Sequence, residues 1–456
     1  MERQHPVEQD KIQRRHNFEP VEENFTEEQA SKEASRCLNC KNPRCVKGCP
    51  VNIQIPGFIQ QIKEGNIDKA GDIIRETSML PSVCGRICPQ ERQCEGNCVL
   101  GIKGEPVAIG ALERYVGDNT NAAETKIIPS GKKVAIVGSG CAGITAAADL
   151  RKAGHEVVVF EALHKLGGVL RYGIPPFRLP RTVLDKEINN LKKIGVEFKK
   201  NVIVGKSITL KQLEEDGFDA IFICPGAGLP KMMGIKGENL NGVFSANEFL
   251  TRVNLMNAND EKTATPLKVG CKVAVIGGGN VAMDAARTAV RVGFKEVYIV
   301  YRRTEKELPA RLEEIRHAKE EGVVFKFLHA PSEILNNEGY VAGMKFELCK
   351  LGEPDESGRQ RPIGTGEFIT LDVDTVIVAL GTGPNPIIQK SASDDGIDFE
   401  TDRRGYFTVD ENTRETSIPH IFAGGDIAPV GTSNAINAMG AGKKAAKAIN
   451  EYLATI

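Results

Sequence analysis

The stretch Lys133-Val-Ala-Ile-Val-Gly-Ser-Gly-Cys-Ala-Gly143 decides the fold. Its unbroken apolar run reads as a strand buried on both faces. Gly138, Gly140 and Gly143 then turn the chain into an Ala-rich helix that reaches Lys152, and a second apolar strand, residues 156–160, ends at Glu161. That acid falls about 20 residues after the glycines, as a dinucleotide fingerprint requires. The glycines let a pyrophosphate approach the helix N-terminus, and the carboxylate accepts hydrogen bonds from a ribose.

The same texture returns at Lys272-Val-Ala-Val-Ile-Gly-Gly-Gly-Asn-Val-Ala282, followed by a helix to Arg291 and a strand over residues 296–301. Gly277 and Gly279 repeat the turn, and Ala282 stands where a third glycine would be. The strand ends in Tyr301-Arg302-Arg303 in place of an acid. A carboxylate there would repel a 2′-phosphate, whereas guanidinium groups bind one by charge-assisted hydrogen bonds, so Arg302 and Arg303 point to NADP(H) over NAD(H). A solvated basic patch is the competing reading. Another apolar strand, residues 375–380, runs into Gly381-Thr-Gly383, and Ile418-Pro-His-Ile-Phe-Ala-Gly-Gly-Asp426 leads into a C-terminal helix rich in Ala and Gly. Because that last strand and helix resemble the end of a flavin domain, the second fold is expected to be inserted into the first. The predicted class is α/β, with two tandem dinucleotide-binding, Rossmann-like domains preceded by an α-helical domain.

That helical domain holds eight of the twelve cysteines, all between Cys37 and Cys98. Without a secretory leader they have no oxidising compartment in which to pair, so metal ligation is the better reading. The run Cys37-x-x-Cys40-x4-Cys45-x3-Cys49-Pro50 lets several thiolates converge on one cubane while the last, before proline, turns to a neighbouring cluster. Cys84-x3-Cys88-Pro89 and Cys94-x3-Cys98 follow. Eight thiolates could complete two [4Fe-4S] clusters; two zinc sites of four thiolates each are the alternative. Cys141, Cys224, Cys271 and Cys349 sit singly in apolar surroundings and read as small core residues.

The 456 residues suggest about three domains. With 41% hydrophobic and 26% charged residues a large core is available. The net charge of -1 gives no electrostatic case for nucleic acid. No apolar run approaches the roughly 18 residues of a membrane span and the N-terminus lacks a signal segment, so a soluble cytoplasmic protein is expected. Expected boundaries are 1–125 for the cysteine domain, 126–268 plus 376–456 for a flavin domain, and 269–375 for a NADP(H) domain.

Several stretches carry a family resemblance: Cys37-Leu-Asn-Cys-Lys-Asn-Pro-Arg-Cys-Val-Lys-Gly-Cys-Pro50, Val83-Cys-Gly-Arg-Ile-Cys-Pro89, Leu166-Gly-Gly-Val-Leu-Arg-Tyr-Gly-Ile-Pro175, Phe177-Arg-Leu-Pro180 and Ala423-Gly-Gly-Asp426. From about residue 30 onward the chain resembles the small subunit of NADPH-dependent glutamate synthase. It is similar also to the large subunit of the electron-bifurcating NADH-dependent ferredoxin:NADP oxidoreductase, to sulfide dehydrogenase, and to the N-terminal half of dihydropyrimidine dehydrogenase. The phrase over residues 46–56 looks closer to the bifurcating type.

The resemblance implies FAD, NADP(H) and two [4Fe-4S] clusters. It implies that Cys37, Cys40, Cys45 and Cys98 hold one cluster. Cys49, Cys88 and Cys94 hold the other, with Glu113 at the position of a non-cysteine ligand, which leaves Cys84 over. It further implies that Glu161 binds the adenosine ribose, Gly168 and Arg178 line the flavin phosphates or ring, and Asp426 meets the ribityl chain, while Gly279, Asn280, Val281, Arg302 and Arg303 hold NADP(H).

The implied activity is hydride exchange between the nicotinamide and the flavin N5, with single electrons passing through the clusters. The cofactors carry that chemistry, so no catalytic side chain is expected. The bifurcating large subunit leads, the glutamate synthase small subunit is the alternative, and a non-catalytic scaffold subunit is a third. The chain has no glutaminase domain, FMN barrel or [2Fe-2S] motif. A second subunit is therefore expected, either a small flavin/[2Fe-2S] protein that could pass electrons to ferredoxin or a large FMN glutamate synthase subunit.

Overall fold

The computed structural model describes residues 2–122, 126–267, 269–356, 358–431 and 433–456. The helical part begins at Glu27–Ser35, whose first turn is closed by a capping box between Thr26 and Gln29. Ile55–Lys63 buries Ile55, Phe58, Ile59 and Ile62, the helical repeat of one apolar face, against Ile67–Arg75. Pro81–Ile87 packs on Ile109–Asn119. Gly85 makes this contact close: a Cβ there would lie 2.5 Å from the Arg114 nitrogen, so the two helices meet backbone to backbone. That approach sets Glu113 beside the cysteines.

The first parallel sheet has the order Ile421–Ala423, Ala220–Ile223, Lys133–Val137, Glu156–Glu161, Glu197–Lys200. The second has the order Val243–Ser245, Thr375–Val378, Lys272–Ile276, Glu296–Tyr301, Val324–Phe327, also parallel. The last strand, Ile421–Ala423, rejoins the first sheet, so the second fold interrupts the first. Leu229–Pro230 and Thr382–Gly383 pair antiparallel where the chain crosses out and back.

The division of the chain differs from the expected one. The breaks expected at residues 125 and 268 fall on residues outside the described set. Thr375–Val378 pairs with the central strand Lys272–Ile276 of the second sheet, and Val243–Ser245 pairs with Thr375–Val378 at its edge, so the second fold starts earlier and ends later than 269–375. The strand at 375 was legible as apolar, but nothing local in it names the sheet it joins. A three-stranded antiparallel sheet, His329–Asn337, Tyr340–Pro354 and Gln360–Leu371, projects from this fold. Among the described residues no helix is long and apolar enough to cross a membrane.

An N-terminal arm ties the parts together. Val21 donates its N–H to the Phe177 carbonyl (3.0 Å), and buried Arg14 donates to Glu321 (3.0 Å), Glu320 (2.6 Å) and Glu8 (3.2 Å). Glu321 also accepts from Arg287 and Arg291 of the helix Asn280–Val292. Removing one partner of a buried ionic set strands the others. Arg14→Ala is therefore expected to lower the unfolding free energy by about 3 kcal/mol, measured as a reduced urea midpoint; an unchanged midpoint would mean that the arm is not part of the cooperative unit.

Candidate functional site

In the first fold, Gly138 has φ +112°, and a Cβ on it would lie 2.5 Å from the Cys224 carbonyl oxygen, so this turn requires glycine. The helix Cys141–Lys152 follows, with Gly140 at its N-cap and Gly143 on its first turn. Glu161 is buried at the end of its strand. Its Oε2 accepts from the Ser139 N–H (3.0 Å) and hydroxyl (2.5 Å), and its Oε1 from the Leu163 N–H (2.9 Å). Ser139 Oγ in turn accepts from the Gly167 N–H (2.9 Å), which holds the segment carrying Gly168 over the turn. The sequence reading gave Ser139 no role; the structure makes it the link from the acid to the loop.

Asp426 lies in the short turn Gly425–Ile427, just before the helix Ala435–Leu453, and accepts from the Ser433 hydroxyl (2.5 Å). Burial pushes its carboxyl above the ordinary aspartate range. It lines a cleft with Gly425, Ser433, Asn437 and Pro50, the residue after Cys49. The cysteine domain thus reaches the same cleft as the first fold. Arg178 is elsewhere. Its guanidinium donates to Glu314 (2.7 Å) and to both oxygens of Asp284 (2.9 and 2.7 Å), which places it in the joint between the two dinucleotide folds and not on the cleft lined by Asp426.

In the second fold, Gly277 and Gly279 shape the turn and Asn280 begins the helix, with Val281 exposed and Ala282 buried. Asn280 Oδ1 accepts from the Arg311 N–H (2.9 Å). The arginine pair divides. Arg302 is exposed at the strand end. Arg303 is buried, donating to the Gln360 carbonyl (2.7 Å) and pairing with Asp355. The antiparallel sheet beyond residue 328 supplies both partners, so Arg303 is spent on the fold.

The cysteines gather in two sets. Cys37, Cys40, Cys45 and Cys98 line one pocket with Ile55, Ile59 and Val107. Burial pushes the Cys45 thiol up to about 11, with Cys98 and Cys37 adding to the shift. The other set is deeper. Burial, with the Glu113 charge behind it, raises Cys49 to about 11, and Cys94 is raised by burial, Glu95 and Glu113. Cys88 is raised by its hydrogen bond with Cys84 and by burial. Glu113 itself is pushed by burial up to about 8, and its Oε1 has no hydrogen-bond partner. Buried polar groups without partners are costly, and three thiols with one orphaned carboxyl oxygen fit the ligand set of a metal-sulfur centre. Cys84 is fully buried between this set and the first fold, with its thiol 3.4 Å from Met439 Sδ on the C-terminal helix. All the cysteines are free.

Residues 14–125 match the family described as dihydropyrimidine dehydrogenase domain II, 4Fe-4S cluster, and residues 132–442 match the pyridine nucleotide-disulphide oxidoreductases. The glutamate synthase [NADPH] small chain of Escherichia coli K12 is 38% identical over 453 residues, covering 96% of this chain and 95% of that one. The chain belongs to this oxidoreductase family. The NADP(+)-dependent formate dehydrogenase subunit beta of Moorella thermoacetica is 39% identical over 440 residues, and the match spans 90% of this chain but only 60% of that subunit. Mycobacterium tuberculosis FprA in complex with NADPH shares the fold, with a TM-score of 0.58 and 22% identity over 72% of this chain and 85% of that one. The 4Fe-4S match settles the choice left open for the cysteines in favour of iron-sulfur over zinc.

The role of Glu113 is directly testable. In Glu113→Ala the second set loses this carboxyl oxygen, so iron content should fall from about eight toward about four per chain, or the EPR signal of one cluster should change, while nucleotide binding is kept. Full iron with unchanged spectra would return Glu113 to a structural role and make Cys84 the next candidate ligand.

Proposed function

We propose that this chain takes electrons from NADPH and hands them to a second protein subunit, as the flavin and iron-sulfur subunit of a glutamate synthase type of enzyme. The observation that carries this reading is the cleft shared by Asp426 and Pro50, which puts the Cys49 set directly against the first dinucleotide fold. When bound, FAD, NADP(H) and two [4Fe-4S] clusters would supply hydride and one-electron chemistry.

The protein's own residues bind and orient. The glycine turn at 138–143 and Glu161 would hold the flavin adenosine half, with Ser139 fixing the carboxylate. Asp426, seated before the C-terminal helix, would hold the ribityl end. The turn at 277–282 would take the NADP(H) pyrophosphate at a helix N-terminus, and Arg302, unlike Arg303, remains available for the 2′-phosphate.

The sequence placed the bifurcating oxidoreductase first. Relatives matched over nearly their whole length are glutamate synthase small chains, in Halomonas elongata as well as in Escherichia coli, and this favours the second identity. A partner subunit follows from either. Leu38, 59% exposed, and Val99 line the pocket of the Cys37 set, and Ile102, 66% exposed, ends the short helical turn that starts at Val99 after Cys98. We assign this apolar rim to the partner.

Two experiments test the reading. Arg302→Ala should raise the KM for NADPH about tenfold with NADH use little changed, since one charge-assisted contact is lost, whereas Arg303→Ala should lower thermal stability and leave the NADPH to NADH preference intact. An unchanged preference in Arg302→Ala would remove the assignment. Separately, Leu38→Asp with Ile102→Asp should abolish co-purification of the partner and partner-linked turnover while NADPH-driven dye reduction continues; retained co-purification would move the interface elsewhere.

A further inference from the structure

The segment 308–311 of the second fold is held from two sides. Toward the glycine turn, the Ala310 N–H donates to the Gly278 carbonyl (3.2 Å) and the Arg311 N–H donates to Asn280 Oδ1 (2.9 Å). Toward the cysteine domain, Arg92 donates to the carbonyls of Leu308 (3.4 Å), Pro309 (3.0 Å) and Ala310 (3.0 Å). The buried Arg311 guanidinium donates to the Arg86 carbonyl (2.9 Å) and to Gln90 Oε1 (2.9 Å). Gln90 Nε2 continues inward to the carbonyls of Cys84 and Gly85, 3.1 Å each. Gln90 and Arg92 lie between Cys88 and Cys94.

We propose that this segment couples the two sites, with Arg311 as the positioning residue: nucleotide seated on the second glycine turn changes the surroundings of Cys88 and Cys94 through Asn280, Arg311 and Gln90. The inference rests on the functional reading above. Its physical basis is the use of Asn280. With Oδ1 committed to the Arg311 N–H, the amide has only its Nδ2 donors to offer a phosphate. A ligand that engages this amide therefore acts on the same residue whose side chain holds Gln90. Gln90 in turn holds the backbone of the helix Pro81–Ile87, which carries Cys84 and is capped by Cys88. Neither Arg311 nor Gln90 is placed in contact with substrate, so both act through other groups.

Coupling of this kind is reciprocal. Nucleotide should alter the Cys88/Cys94 cluster, and the redox state of that cluster should alter nucleotide affinity by the matching factor.

The test uses the purified holoenzyme and 2′-phospho-ADP-ribose, which lacks a nicotinamide and cannot accept hydride. Its Kd is measured by calorimetry on oxidised and on dithionite-reduced protein, and the EPR spectrum of the reduced clusters is recorded with and without it. Wild type should show one of two cluster signals shifting on addition, and a Kd that differs about fivefold between the two states. Arg311→Met and Gln90→Leu should keep binding and iron content but lose both effects. If Arg311→Met does not fold, Gln90→Leu and Arg92→Ala carry the test. Binding and two cluster signals in wild type with no dependence of one on the other would overturn the coupling and leave the functional reading standing. Coupling that survives in the variants would overturn the assigned route. Absence of probe binding or of cluster signals would overturn the functional reading and the coupling with it.

Discussion

Glu321 is the point on which the placement of the three parts depends. Its two oxygens accept from Arg14 of the N-terminal arm and from Arg287 and Arg291 on the helix that follows the second glycine turn. The side chain is wholly buried. Burial alone would push its carboxyl up, but Arg291 and Arg287 outweigh that and hold it down at about 2. A buried ionised carboxylate costs several kcal/mol unless paired. Arm and helix therefore share one carboxylate: Arg14 from one side and Arg287 with Arg291 from the other converge on Glu321.

The same network reaches the first fold. Arg287 pairs also with Glu314, which pairs with Arg178, which pairs with Asp284. The Phe177 ring lies under Arg287 and Arg291, at 4.7 and 3.9 Å from their guanidinium carbons. Rotation of the second fold about its crossing strands would expose and separate these charges together, each at a cost of several kcal/mol. The distance between the two dinucleotide turns is thus a property of the folded interface. This accounts for Arg178, which the family resemblance assigns to the cofactor: at this joint, the carboxylates Asp284 and Glu314 engage its guanidinium.

What was legible in the sequence was local. The two glycine turns, Glu161 and the two cysteine runs are read from spacing within about 20 residues, because each element is a strand-turn-helix unit or a loop whose chemistry is contiguous. The interruption of the first fold by the second was legible too, from the likeness of the C-terminal strand to a flavin domain's end. Arg303 was not, since Asp355 and Gln360 come from a sheet some 50 residues on, and nothing at Tyr301-Arg302-Arg303 distinguishes the arginine that faces it. Thr375–Val378 was legible as a strand, but the break expected at residue 375 put all but its first residue in the flavin domain, as any apolar run can join either sheet. Arg311 and Gln90 lie in unrelated segments and meet only through tertiary packing.

The two cysteine sets differ in surroundings, and the difference orders them. The Cys37 set has partly exposed thiols beside the exposed apolar residues Leu38 and Val99. Cys49, Cys88 and Cys94 are buried, with Glu113, and Cys49 adjoins the cleft of Asp426. A centre held in the inner set loses water and gains a carboxylate, whereas one in the outer set keeps solvent nearby, and exposure, local charge and ligand type are what tune a cluster's potential. Burial also raises the inner thiols, so the protein's affinity for metal there must include the release of protons it holds tightly. The inner set therefore lies on the side of the Asp426 cleft and the outer set at the surface, an order built by one close helix contact at Gly85 and one proline turn after Cys49.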